Sequence, residues 1–176
     1  TASVEDGYSL LRSFTDNIFI VGLSMGGVLS LLMSTRLKVR GGVAMSTPYK
    51  LPDDPRLRHI EWISKIVSYM PKSEGEPGSG WFDKEAWKEH VSYPMNPVRS
   101  IGQLNILLGE MRSALPKIDV PVLLMHSRDD KYVSPNSMEM IYADLLNASD
   151  KKKIYVTGSG HVVTRDAARH QVFESA

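Results

Sequence analysis

The chain has 176 residues, 42% of them apolar, and carries a net charge of +1 from 21 basic and 20 acidic side chains. That length supports one domain with a sizeable core, and the balanced charge offers no electrostatic footing for nucleic acid or an anionic membrane. Cysteine is absent, which excludes disulfides, thiolate metal sites and thiol nucleophiles and fits a reducing compartment. No apolar run is long enough to span a bilayer, and "TASVEDGYSL" has no basic flank ahead of an apolar stretch. A cytoplasmic domain without stable membrane insertion is therefore expected.

Residues 2–13 place Val4, Tyr8 and Leu11, with Leu10 alongside, on one side at helical spacing. Ile18 to Val21 is an unbroken β-branched and aromatic run, expected as a parallel strand covered on both faces. "VLSLLMST" continues as a helix, and Val43 to Met45 forms a second strand leading into the proline-rich "TPYKLPDDP". From about 55 to 115 the pattern is helical, with no strand expected. Leu57, Ile60, Ile63, Val67 and Met70 share one face until Pro71, and Ile101, Leu104, Leu108, Met111 and Leu115 share another. Between them "PKSEGEPGSG" has little to bury and reads as a loop. Strand chemistry returns at "VPVLLMHS", followed by a helix that Ser134 or Asn136 can cap. A last strand, Ile154 to Val156, leads through a glycine-rich turn to a terminal helix beginning within "TRDAARHQVFES". Strands alternating with helices define a mostly parallel sheet in an α/β fold.

The stretch "NIFIVGLSMGGVLSLLM" sets Ser24 in a G-x-S-x-G pattern between Gly22 and Gly26. An apolar strand leads in and an apolar helix leads out, the setting in which a serine is lifted clear of a sheet as a nucleophile. Such a turn holds its residue in a strained conformation, tolerable where neighbouring side chains are absent. It also points the N–H of Met25 and the start of a helix at the same place, which favours developing negative charge. The competing roles are a helix cap and a phosphate loop. The second lacks both the G-x-G-x-x-G spacing and a following lysine.

A serine hydroxyl needs a base, and the base needs an acid to orient it. Of the five histidines, His59 and His90 fall in the helical block and His170 in the terminal helix, where surface positions are expected. His126 ends a strand and takes a supporting role. His161 follows the last strand through Thr157-Gly158-Ser159-Gly160, where glycine freedom lets a loop carry an imidazole over the sheet end. Asp129 and Asp130 both lie beyond the C-terminal end of a strand, where parallel sheets place their sites. Only one of them can reach His161.

With "VGLSMGGV", "HSRDDKYVSPNSMEMIY" and "GSGHVVTRD" in hand, the chain resembles the α/β-hydrolases, and within them the bacterial carboxylesterases and monoacylglycerol lipases. The resemblance covers nearly the whole chain. It implies a catalytic triad of Ser24, Asp130 and His161, with Asp129 as the alternative acid, Met25 N–H in the oxyanion hole and Gly22 and Gly26 as elbow glycines. Residues 1–48 and 116–176 would be an incomplete hydrolase core, with 49–115 a helical cap insertion over an acyl-binding cleft. Family members carry further strands before the elbow strand and a His-Gly pair that gives the second oxyanion donor. Here only a helix precedes "IFIVGL". The N-terminal portion of the core is therefore expected from the rest of a longer chain or from another chain, because so apolar an edge strand needs a neighbour.

The implied function is hydrolysis of a small-molecule carboxylic ester, a short- to medium-chain acyl ester or a monoacylglycerol, through an acyl-enzyme on Ser24. It requires neither a cofactor nor a metal. Trp62, Trp81 and Trp87 all lie in the insertion and suit an apolar lid. Thioesterase or other hydrolase chemistry on the same triad, and a non-catalytic binding module, are the alternatives.

Overall fold

The computed structural model describes residues 1–72 and 80–176. Its strands are β1 (Phe19–Leu23), β2 (Gly41–Met45), β3 (Tyr69–Pro71), β4 (Met95–Pro97), β5 (Val122–Ser127) and β6 (Lys151–Val156). Four of them form one parallel sheet in the order β1-β2-β5-β6, with Phe19 opposite Gly41, Gly42 opposite Val122 and Val122 opposite Lys151. The helices are α1 (Ala2–Arg12), α2 (Met25–Met33), α3 (Ile60–Ile66), α4 (Lys84–Lys88), α5 (Val98–Ala114), α6 (Asn136–Asp144) and α7 (Arg169–Ser175).

Side chains alternate across a strand, and the two inner strands use that alternation to build two cores. On one face Ala44 and Leu124 meet Val28 and Leu31 of α2, Leu108 and Met111 of α5, and Met138 and Ile141 of α6. On the other, Val43, Met45 and Met125 meet Val156, Val163 and Val172 of α7. Leu31, Leu108 and Leu115 are fully buried, each stabilising the fold by about 1.5–3 kcal/mol relative to exposure. The α/β architecture expected from the alternating pattern is the one observed.

The edges depart from expectation. β1 is not covered on both faces: Phe19 and Val21 are 62% and 57% exposed, whereas Ile18 just before it is buried. The sheet ends at β1, so that edge has no partner strand among the described residues. At the other edge, β6 begins three residues earlier than expected, at Lys151-Lys152-Lys153. Lysine has no strand signature, but the ammonium groups of Lys151 and Lys153 lie over the Tyr142 ring, 4.6 and 4.8 Å from its centroid, with Lys151 Nζ also donating to Tyr142 O and Leu145 O and Lys153 Nζ pairing with Glu139.

Between β2 and β5 the helical block is only partly helical. The single run expected from Leu57 to Met70 divides into a 3₁₀ turn at Pro55–His59, capped by the Asp54 carboxylate, and α3. Val67 is already extended, and Tyr69–Pro71 pairs antiparallel with Met95–Pro97. Proline forces its predecessor out of the helical region, and Met70-Pro71, Tyr93-Pro94 and Asn96-Pro97 impose that constraint three times. Three-residue strands are too short to leave a periodic trace. Positions 73–79, within the expected loop, lie outside the described residues. Neither Ser134 nor Asn136 caps α6 through its side chain; Pro135 occupies the cap position.

Candidate active site

The turn at Ser24 is strained in the expected way. Ser24 stands between β1 and α2 at φ 57°, ψ −118°, in the region that L-residues avoid. Its backbone is held at both ends: its N–H donates to Met45 O at 2.8 Å, and its carbonyl accepts from Val28 N at 3.2 Å. Met25 is the first residue of α2, so its N–H is among those without an intrahelical acceptor.

The glycines divide differently from the motif. A Cβ on Gly22 would lie 2.1 Å from Gly26 O, so β1 and α2 approach too closely for any side chain there. A Cβ on Gly26 would meet nothing within 4 Å, whereas one on Gly27 would strike Thr47 Oγ1 at 2.0 Å. Packing therefore demands glycine at 22 and 27. The G-x-S-x-G pattern names 22 and 26, and the doublet Gly26-Gly27 was the available signal for the correction.

The two aspartates after β5 take separate partners. Asp130 Oδ2 lies 2.8 Å from His161 Nδ1 and 3.1 Å from His126 Nε2, while Oδ1 accepts from Tyr132 N at 2.8 Å and Val133 N at 2.9 Å. Its side chain is fully buried. Burial pushes the carboxyl pKa up, but the hydrogen bonds from His126 and His161, attraction to His161 and the N–H of Val133 outweigh that. The net result holds it well below the usual carboxylate range. Asp129 points elsewhere, accepting from Gly158 N at 2.8 Å through Oδ2.

His126 is buried and more specific in its placement than a supporting role implies. Its Nε2 faces both Asp130 Oδ2 and, at 3.2 Å, the Val133 carbonyl. Both are acceptors, so Nε2 carries the proton. The same carboxylate oxygen thus takes hydrogen bonds from two imidazoles. His161 is partly exposed and stands edge-on to the Tyr132 ring at 6.0 Å between centroids. His59 and His170 are exposed as expected, whereas His90 is half-buried, tilted against the buried Trp81 ring at 4.9 Å.

The loop carrying His161 is fixed along its length. Gly158 adopts φ +70°; Ser159 O accepts from Ser127 Oγ, and Gly160 N donates to Asp166 Oδ2 at 2.5 Å. Asp166 closes the stretch "GSGHVVTRD", but no role for it was legible there, because Phe82 and Asp83, which also donate to it, lie some eighty residues away. Ser24, Asp130 and His161 follow β1, β5 and β6, so their loops rise from the same end of the sheet. The structure joins the last two directly. Among the described residues no cluster of three or more His, Cys, Asp or Glu could hold a metal ion, and no helix is long and apolar enough to cross a membrane.

A strained serine between a parallel strand and a helix, with a buried aspartate–histidine pair at the same sheet end, is the arrangement of a hydrolase of the α/β class. The family model for the alpha/beta hydrolase family matches residues 2–175, and the chain belongs to that family. It is 28% identical over 173 residues to a carboxylesterase from Bacillus subtilis (strain 168), covering 98% of this chain and 67% of that protein. It is 27% identical over 183 residues to a thermostable monoacylglycerol lipase from Bacillus sp. (strain H-257), covering 98% and 66%. The chain thus spans about two thirds of the length of these relatives. Among solved structures, a metagenome-derived lipolytic enzyme superposes with a TM-score of 0.83 at 23% identity, over 99% of this chain and 69% of that one. The family resemblance read from the sequence is thereby established, and the members it resembles are esterases and lipases.

Proposed function

We propose that the protein is a serine hydrolase of carboxylic esters, acting through an acyl-enzyme on Ser24. His161 Nε2 takes the Ser24 proton as Oγ attacks the carbonyl carbon. Asp130 holds Nδ1–H and stabilises the imidazolium. The oxyanion is bound by Met25 N–H, and collapse of the tetrahedral intermediate passes the proton from His161 to the leaving alkoxide. Water, activated by the same imidazole, then releases the acid and restores the hydroxyl. The observation that carries this reading is the 2.8 Å contact between His161 Nδ1 and the buried Asp130 carboxylate, which fixes the tautomer a base needs.

The reading makes a geometric demand. β1 and β6 are three strand spacings apart, about 14 Å at strand level, so loop 157–161 must bring the imidazole back over β2 and β5 towards Ser24. Residues 49–115 would serve as the cap over the acyl site, on the core formed by 1–48 and 116–176. Short- to medium-chain acyl esters and monoacylglycerols fit its apolar side chains. The second oxyanion donor, and strands beside β1, would come from a further part of the protein or from another chain. The substrate is a soluble or dispersed small-molecule ester, and the compartment is the cytoplasm.

Treating the intact protein with a fluorophosphonate and mapping the adduct by mass spectrometry tests the proposal. Modification at Ser24, lost in Ser24→Ala and in His161→Ala, is expected. A folded protein unmodified at Ser24 would favour the non-catalytic binding module.

A further inference from the structure

We propose that Asp166 is a positioning residue that locks the insertion segment 80–83 to the loop carrying His161, so that the imidazole and the insertion are set as one unit. This rests on the reading of His161 as the base. Asp166 is fully buried. Its Oδ1 accepts from Phe82 N at 3.0 Å, Asp83 N at 2.6 Å and Ala167 N at 2.8 Å; its Oδ2 accepts from Gly160 N at 2.5 Å and Phe82 N at 3.2 Å. Two of these donors belong to the insertion and one to the residue directly before His161. One side chain therefore spans both.

The joint is closed by contact as well as by charge. A Cβ on Gly160 would lie 1.6 Å from Gly80 O, so the histidine loop and the insertion touch backbone to backbone. Beside it, Arg169 donates to the Asp83 carboxylate at 2.8 Å, a second tie between the same two segments that leaves Gly160 alone. Burying a carboxylate costs stability unless its oxygens are fully engaged. Here the charge-assisted bonds from four N–H groups offset that cost and set the direction of the chain at Gly160. From Gly160 a displacement passes to His161 through a single peptide unit, and a misplacement of about 1 Å at a reacting group costs on the order of 10²-fold in rate.

The test compares Asp166→Asn, Gly160→Ala and Arg169→Ala in the intact protein, with turnover of a p-nitrophenyl ester and the downfield NMR signal of the proton between His161 Nδ1 and Asp130 as readouts. Asp166→Asn turns an NH₂ towards groups that are themselves donors, and is expected to lower kcat by about 10- to 100-fold with KM within about threefold, shifting or broadening that signal. Gly160→Ala displaces Gly80 while Asp166 stays intact; it is expected to reproduce the kcat loss and keeps the test decisive if Asp166→Asn does not fold. Arg169→Ala, which removes the Asp83 tie and the longer contacts to the Arg165 and Asp166 carbonyls but no bond to the Asp166 carboxylate, is expected to leave kcat and the signal unchanged. Wild-type kcat and signal in folded Asp166→Asn or in Gly160→Ala would overturn the proposal, as would an equal loss in Arg169→Ala. Wild-type turnover in His161→Ala would instead overturn the base assignment, so the two failures are distinguishable.

Discussion

The turn at Ser24 and the loops at Asp130 and His161 occupy the same end of one sheet, but different forces hold them in place. The serine turn is positioned by exclusion: Gly22 and Gly27 stand where any Cβ would strike the neighbouring backbone or Thr47. The acid and histidine loops are positioned by saturation, with Asp129, Asp130 and Asp166 each accepting backbone N–H groups and Asp130 also facing two imidazoles. Shape dominates at the Ser24 turn, whereas at the His161 loop hydrogen bonding is joined by one close contact, Gly160 against Gly80 O. The Ser24 turn should fail through added atoms, and the acid and histidine loops through lost acceptors as well as through added atoms at Gly160.

The largest effect isolates the chemistry from both. Ser24→Ala keeps the turn and removes the hydroxyl, so ester turnover should fall by at least about 10⁴-fold while urea unfolding shifts by less than about 0.5 kcal/mol. Retained turnover in this variant would remove the nucleophile. Next comes Asp130→Asn, expected to lower kcat by roughly 10²- to 10⁴-fold by disturbing the His161 tautomer. This substitution also has a pH signature. The folded-state pKa of Asp130 lies below its unfolded value, so the stability it contributes is complete above about pH 4 and is lost as pH falls through the folded value. Acid unfolding curves should therefore be steeper for the wild type than for the variant in that range.

Steric control is sharpened by a pair of alanines. Gly27→Ala should destabilise by about 1–3 kcal/mol, because its Cβ must displace Thr47. Gly26→Ala, which enters open space within α2, should be neutral or stabilise by up to about 1 kcal/mol. Equal thermal midpoints for the two would break the distinction. On the polar side the smallest effect on turnover belongs to Asp129→Ala, which removes one acceptor from Gly158 N. A loss of about 0.5–1.5 kcal/mol is expected, with ester turnover changed only a few-fold.

How far these features could be read in the amino-acid sequence follows the same division. Steric positioning is local, so "VGLSMGGV" announces the turn, the strand before it and the helix after it within a few residues. His161 was legible for a related reason, since glycines mark a loop that must bend. Polar positioning joins residues far apart in the chain. Nothing in "HVVTRD" distinguishes Asp166 from a surface carboxylate until Phe82 and Asp83 are brought to it. The division of labour between Asp129 and Asp130 was open for the same reason, and was narrowed by family resemblance rather than by spacing. The ribbon of β3 and β4 escaped notice because proline geometry, not hydrophobic alternation, creates it. Phe19 and Val21 are exposed among the described residues, because an apolar run reports what a strand could bury and not whether a neighbour lies within these residues.

The two margins of the sheet differ in their tolerance of crowding. At the β6 margin Lys151 is tied to the Tyr142 and Leu145 carbonyls and Lys153 to Glu139, while Lys152 stands exposed as a charge that would repel a second copy approaching strand to strand. Along β1 the exposed groups are apolar: among the described residues Phe19 and Val21 face outward. The strands proposed to lie beside β1 would cover these two side chains, so the β1 margin is guarded by pairing and the β6 margin by charge. A single lysine introduced at Val21 should therefore lower the thermal midpoint of the intact protein more than any further charge added to β6.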